Sequence, residues 1–142
     1  MRGRTGGFRR ALTQSYSRDG AIALLRIWLG SMMIVHGYSK VFGDNTRFFR
    51  GVADMGFPVP ELFGWLAALS EFGGGLLLIL GLLTRPAALL VAATMGVAAF
   101  VRHFDDPFGN KELPITYMVI AIALLVAGPG KISLDRRLFR GG

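Results

Sequence analysis

Leu62–Leu83 reads LFGWLAALSEFGGGLLLILGLL, an unbroken apolar stretch with one charge, Glu71, near its middle. A helix crossing the hydrocarbon core of a bilayer takes about 20 such residues. An ionised carboxylate at that depth costs at least about 2–3 kcal/mol, so a chain that keeps one pairs it, protonates it or uses it. On a helix, Gly64, Ala67, Ala68, Gly74, Gly75 and Gly81 share a face with Glu71. Small residues let transmembrane backbones approach closely, which places Glu71 on a packing face and not toward lipid.

Working outward, three more apolar segments are read at Ala21–Phe42, Pro86–Val101 and Leu113–Gly128. The last two are short for a span, and Arg102, His103 and Lys111 extend them by snorkelling. None shows the polar face that a soluble helix keeps at 3.6-residue spacing. The predicted fold is an all-α membrane protein, an antiparallel four-transmembrane-helix bundle. Thr46–Met55 places Phe48, Phe49, Val52 and Met55 at helical spacing among Arg47, Arg50 and Asp54, which predicts a short interfacial helix between spans one and two. Pro58 and Pro60 end it and open the second span. Thr84-Arg85-Pro86 predicts a tight hairpin between spans two and three, and Asp105 to Glu112 a polar loop between spans three and four.

Composition agrees. The chain of 142 residues is 52% hydrophobic and 18% charged, with a mean hydropathy of +0.48. The net charge of +7 lies outside the spans and without interleaved exposed aromatics, which argues against nucleic acid as a partner. Arg2, Arg4, Arg9, Arg10 and Arg18 precede the first span, Arg85 sits in the second hairpin, and Lys131, Arg136, Arg137 and Arg140 follow the last. These ten cations fall on one side of the bundle, against Arg47, Arg50, Arg102 and Lys111 on the other, with Lys40 at its border. The positive-inside rule then puts both termini in the cytoplasm of a bacterial inner membrane. The first apolar run is too long for a signal-peptide core and lacks a cleavage site, so it is expected to remain as a span. Cysteine is absent, which excludes thiol redox chemistry and Fe–S ligation by this chain.

The first span carries its own polar residues, Arg26, His36 and Lys40, with Arg26, Gly30, Met33, Gly37 and Lys40 in one narrow stripe. At 1.5 Å per residue, Glu71 lies about 10 Å deeper than Arg26, near the combined reach of the two side chains. His36 lies only about 4–5 Å from Glu71 in depth. Glu71 thus has two candidate partners, Arg26 and His36, with Lys40 near the outer mouth of the same polar centre. Gly30, Gly37, Gly74 and Gly75 are the expected helix-packing positions. Such a cluster serves either as glue that sets helix register or as a ligand, quinone or proton site. His36 and His103 lie toward the same end, where a haem or metal could bridge them; two lone histidines, one beside Asp105 and Asp106 in a polar loop, argue against haem and against a metal. No phosphate loop, dinucleotide fingerprint or nucleophile–base pair is present.

Five stretches in order resemble the DoxX family of small four-helix membrane proteins: Arg26 in the first span, His36-Gly37-Tyr38-Ser39-Lys40-Val41-Phe42-Gly43, Glu71-Phe72-Gly73-Gly74-Gly75, Gly81-Leu82-Leu83-Thr84-Arg85-Pro86, and Gly128-Pro129-Gly130-Lys131-Ile132-Ser133-Leu134-Asp135. The resemblance divides the chain into a basic tail (1–20), a DoxX-like membrane domain (21–135) and a second basic tail (136–142). It implies an accessory subunit of a quinone-linked membrane redox system, with membrane lipids and other oxidoreductase subunits as partners and a quinone as the ligand. The rival readings are a quinone-reactive enzyme in its own right and a small transporter or lipid-binding protein with Glu71 facing a cavity.

Overall fold

The computed structural model describes residues 17–139. Among them are six helices: α1 (Arg18–Phe42), α2 (Thr46–Asp54), α3 (Pro60–Leu80), α4 (Thr84–Val97, continued by a π-helical turn at Ala98–Arg102), α5 (Phe108–Ala127) and α6 (Leu134–Phe139). Four are long and apolar enough to cross a membrane: α1, α3, α4 with its π turn, and α5. They form a four-helix bundle in which α1 lies chiefly on α3 and α4 chiefly on α5. The outer faces are apolar instead of charged, with Leu24, Trp28, Val35, Leu62, Leu89 and Val126 all exposed. A bundle that is apolar outside and tightly packed inside is built for lipid.

Glycines set the α1–α3 crossing. A Cβ on Gly30 would lie 2.6 Å from the Gly75 carbonyl oxygen, one on Gly75 would lie 2.7 Å from the Gly30 carbonyl oxygen, and one on Gly37 would lie 2.6 Å from the Phe72 nitrogen. Without side chains at these points the two backbones meet directly, and the pairing 30 with 75 and 37 with 72 makes them antiparallel. Gly74 turns the other way, where an added Cβ would sit 3.3 Å from Val91 of α4. The inner layer is completed by Leu29, Met33, Leu78, Val91 and Leu124.

The element ends follow local chemistry, with three departures from the sequence reading. First, α3 stops at Leu80, so Leu82 and Leu83 belong to the turn and not to the span. Gly81 takes φ +65°, and Leu82 N–H donates to the Leu77 carbonyl at 3.0 Å, closing the helix end as a Schellman motif. Second, the polar loop before the last span ends at Pro107, because Phe108 to Glu112 already form the first turns of α5. Pro107 leads into the helix, and Pro114 sits within it, costing one backbone bond; polar residues had hidden turns that length and capping allow. Third, the chain after the last span forms the short helix α6, which straddles the expected boundary between the membrane domain (21–135) and the basic tail (136–142). The first basic tail lies almost wholly outside the described residues. The amphipathic α2 is formed, with Val52 buried and the Phe49 ring filling the space left by Gly64.

Candidate functional site: a lysine–glutamate pair on a cavity wall

The four predicted polar residues do not form one centre. At the end of the bundle that carries α6, Arg26 is 2% exposed and its guanidinium is consumed by backbone. Nε donates to the Leu78 carbonyl at 2.7 Å, Nη1 to Pro129 at 2.5 Å and Nη2 to Ile132 at 2.6 Å. Gly81 is obligatory here on two counts, its left-handed φ and an added Cβ that would lie 2.8 Å from the Arg26 Cζ. The segment from Gly128 to Asp135 is thereby folded back as a clasp. Asp135 accepts from the Leu83 and Thr84 N–H groups at 2.7 and 2.9 Å, at the N-terminus of α4 where a carboxylate is favoured. Its own N–H donates to Gly81 at 2.9 Å, and these bonds hold Leu83 at its strained φ of +48°. Lys131 N–H closes the other side on Asp19 at 2.9 Å.

Glu71 is therefore not paired with Arg26, and it is not paired with His36 either. His36 is exposed, with Nδ1 2.8 Å from the Met32 carbonyl and its ring edge-to-face on Tyr117 of α5 at 5.8 Å. The partner is Lys40, whose Nζ donates to both carboxylate oxygens of Glu71, at 2.7 and 2.6 Å. Side chains on a helix lean toward its N-terminus. Lys40 thus folds back over Gly37, whose missing Cβ leaves room for the Glu71 Cβ and the Phe72 backbone, while Arg26 leans away from Glu71 toward the clasp. The same lean explains why depth alone chose the wrong partners.

Lys40 and Glu71 differ in exposure. The glutamate side chain is 3% exposed and the lysine 23%, because Lys40 borders a cavity of about 830 Å³ between α2, α3 and α4. The Lys40 ammonium also lies over the Phe48 ring of α2, 4.8 Å from its centroid. An ammonium carries three N–H groups; two reach Glu71, and the third has no oxygen acceptor among the described residues. Leu66, Leu69 and Leu90 line the cavity and are also exposed, so it opens sideways between α3 and α4 where lipid lies. Its mouth carries Arg47 and Arg102. The π-helical turn inserts one extra residue, seen in the His103 N–H to Ala98 bond of 3.1 Å, and turns Arg102 and His103 onto this cavity. His103 is held by Asp106, Nδ1 to Oδ2 at 2.6 Å, on a different face from His36. Among the described residues no group of three or more His, Asp or Glu side chains could hold a metal ion.

Ser70 and Thr94 were not singled out from the sequence. Ser70 is buried next to Glu71, and Thr94 Oγ1 approaches its hydroxyl at 3.0 Å across the α3–α4 seam. Both line the cavity. In the sequence each is a hydroxyl among small residues, a pattern that does not name its partner.

The DoxX family model matches residues 21–104. This chain belongs to the DoxX family. It is 31% identical to inner membrane protein YphA of Escherichia coli over 131 residues, 85% of this chain and 92% of the relative. It is equally 31% identical to E. coli inner membrane protein YqjF, over 84% of this chain and 93% of that protein. A third relative, 31% identical over 83% of this chain and 87% of its own length, is the putative oxidoreductase CatD of Bacillus subtilis. No solved structure matches the chain. The protein is thus a multi-pass DoxX membrane protein in contact with lipid, with bacterial inner-membrane proteins among its relatives.

Proposed function

We propose that this DoxX protein is an accessory subunit of a membrane redox system and binds a quinone in the cavity walled by Lys40 and Glu71. The observation that carries the reading is an ion pair at bilayer depth that is not closed off. Lys40 retains a free N–H on a mostly apolar cavity open to the lipid side, the arrangement expected for a lipid-soluble ligand with few polar atoms. The donor set fits: a quinone oxygen accepts from Lys40, and Glu71 holds the ammonium in place and balances its charge. Phe48 steadies the ammonium from the α2 side, and the surrounding leucines exclude water. A bound quinone supplies two-electron chemistry between its carbonyl and hydroxyl forms. The name of the Bacillus relative supports a redox setting, and the distribution of Lys and Arg supports cytoplasmic termini.

The test is purification from the native membrane in gentle detergent, with solvent extraction and chromatography of the bound lipids. Quinone near one per chain in wild type, lost in a folded Lys40→Met variant, is the expected result. Wild-type protein that carries no quinone and takes none up from added decyl-benzoquinone would overturn the reading. A reporter fused to the C-terminus is expected to behave as cytoplasmic, and an exported reporter would reverse the orientation.

A further inference from the structure

The cavity holds a second polar station that the ion pair does not use. Ser70 turns toward α4 while its neighbour Glu71 turns toward α1, so two hydrogen-bonding groups border one cavity from opposite sides of α3. Thr94 Oγ1 lies 3.0 Å from Ser70 Oγ and 2.9 Å from the Leu90 carbonyl. A hydroxyl has one proton and serves one of these acceptors at a time. If Thr94 donates to Leu90, Ser70 donates to Thr94, and the lone pairs of Ser70 have no donor among the described residues. If Thr94 donates to Ser70, the Ser70 proton has no acceptor there. The pair thus either accepts or donates one further hydrogen bond, and switching costs only the rotation of two hydroxyls.

The first station has the same two-way character, with a spare ammonium N–H on Lys40 beside the lone pairs of the Glu71 carboxylate. Two ambivalent stations suit a ring with two oxygens that is met both as carbonyls and as hydroxyls. A fatty acid or phospholipid, with one polar head, would leave the part-buried hydroxyl pair unused. We propose that Ser70 and Thr94 are the second anchor of the ligand, and that this anchor binds the quinone and quinol forms alike. This rests on the cavity being the quinone site and adds the residues that recognise the far oxygen.

Detergent-purified protein is titrated with decyl-benzoquinone, with its quinol, and with 4-decylphenol, which has one oxygen. In Ser70→Ala/Thr94→Val, affinity for quinone and quinol is expected to fall about three- to tenfold, the worth of one hydrogen bond. Affinity for the phenol is expected to stay within twofold of wild type, and Ser70→Thr/Thr94→Ser to restore the first two. A structural role alone predicts a lower melting temperature with all three affinities unchanged, and that result overturns the second anchor while leaving the quinone site intact. A loss for the quinone but not the quinol overturns the two-way station. Wild-type protein that binds none of the three probes overturns the quinone site and the anchor together.

Discussion

The two ends of the bundle solve the same problem in opposite ways. Each brings a cation from α1 into a membrane-spanning helix pair, Arg26 at one end and Lys40 at the other. Around Arg26 all three kinds of guanidinium nitrogen are spent on backbone carbonyls of α3 and the clasp. Arg26 is 2% exposed, and Gly81 packs directly on its guanidinium. Lys40 meets a carboxylate, stays part-exposed and keeps a donor free on a cavity wall. A buried ion is structural when its own chain encloses it, and available to a ligand when a free donor faces a cavity. Arg26 suits the first role because its planar fork reaches several acceptors at once, whereas a lysine is a mobile point charge.

The comparison breaks most visibly at Arg26. Arg26→Met removes three hydrogen bonds donated by a charged group, and at about 1.5–3 kcal/mol for each such bond the loss should reach at least about 3 kcal/mol. Melting in detergent should drop sharply, and Arg26→Lys should recover only part of it. Wild-type stability in Arg26→Met would show that the clasp does not need its guanidinium. Next comes the frame both ends share. Gly75→Val pushes side-chain atoms into the Gly30 carbonyl and should destabilise by about 1–3 kcal/mol, read as the same melting shift; an unshifted melt would mean that α1 and α3 separate freely.

At the open end, Lys40→Met and Glu71→Leu should each cost less than the Arg26 change, because Lys40 is part-exposed on the cavity and packed less tightly than Arg26. The double variant should recover part of the loss, with a coupling of about 1 kcal/mol or more by a double-mutant cycle. Quinone retention should fail in all three; additive losses in stability would dissolve the pair. The smallest effect belongs to the loop beside the cavity mouth. Hydrogen bonds from His103 and then Asn110 hold the Asp106 carboxyl below its ordinary value of 3.8. A depressed aspartate stabilises above its unfolded value and loses that contribution as pH falls through the folded one. Melting of wild type should therefore fall below about pH 4 more steeply than melting of Asp106→Asn, and parallel curves would remove Asp106 from the account.

Much of the architecture was legible in one sequence. Span number, the amphipathic α2 and the turn after Gly81 depend on local composition, which hydropathy, spacing and glycine report directly. Of the small residues expected at packing positions, Gly30, Gly37 and Gly75 lie where α1 meets α3 and Gly74 faces Val91 of α4, because close approach demands an absent side chain wherever it occurs. Ser70 and Thr94 escaped because a hydroxyl that returns its bond to the neighbouring helix looks the same in sequence as one that does not.

What the sequence determined alone is the solvent of this protein and the length of its helices, since both follow from how many apolar residues stand in a row. It also determined that Arg26, Lys40 and Glu71 had to be neutralised at depth. Only the tertiary structure decided by whom. Rise per residue gives a side chain's level but not its direction, and a long side chain leaning toward its helix N-terminus shifts its charge by about a turn. That shift carried Lys40 down onto Glu71 over Gly37, and carried Arg26 away to the carbonyls of a segment more than a hundred residues distant in the chain.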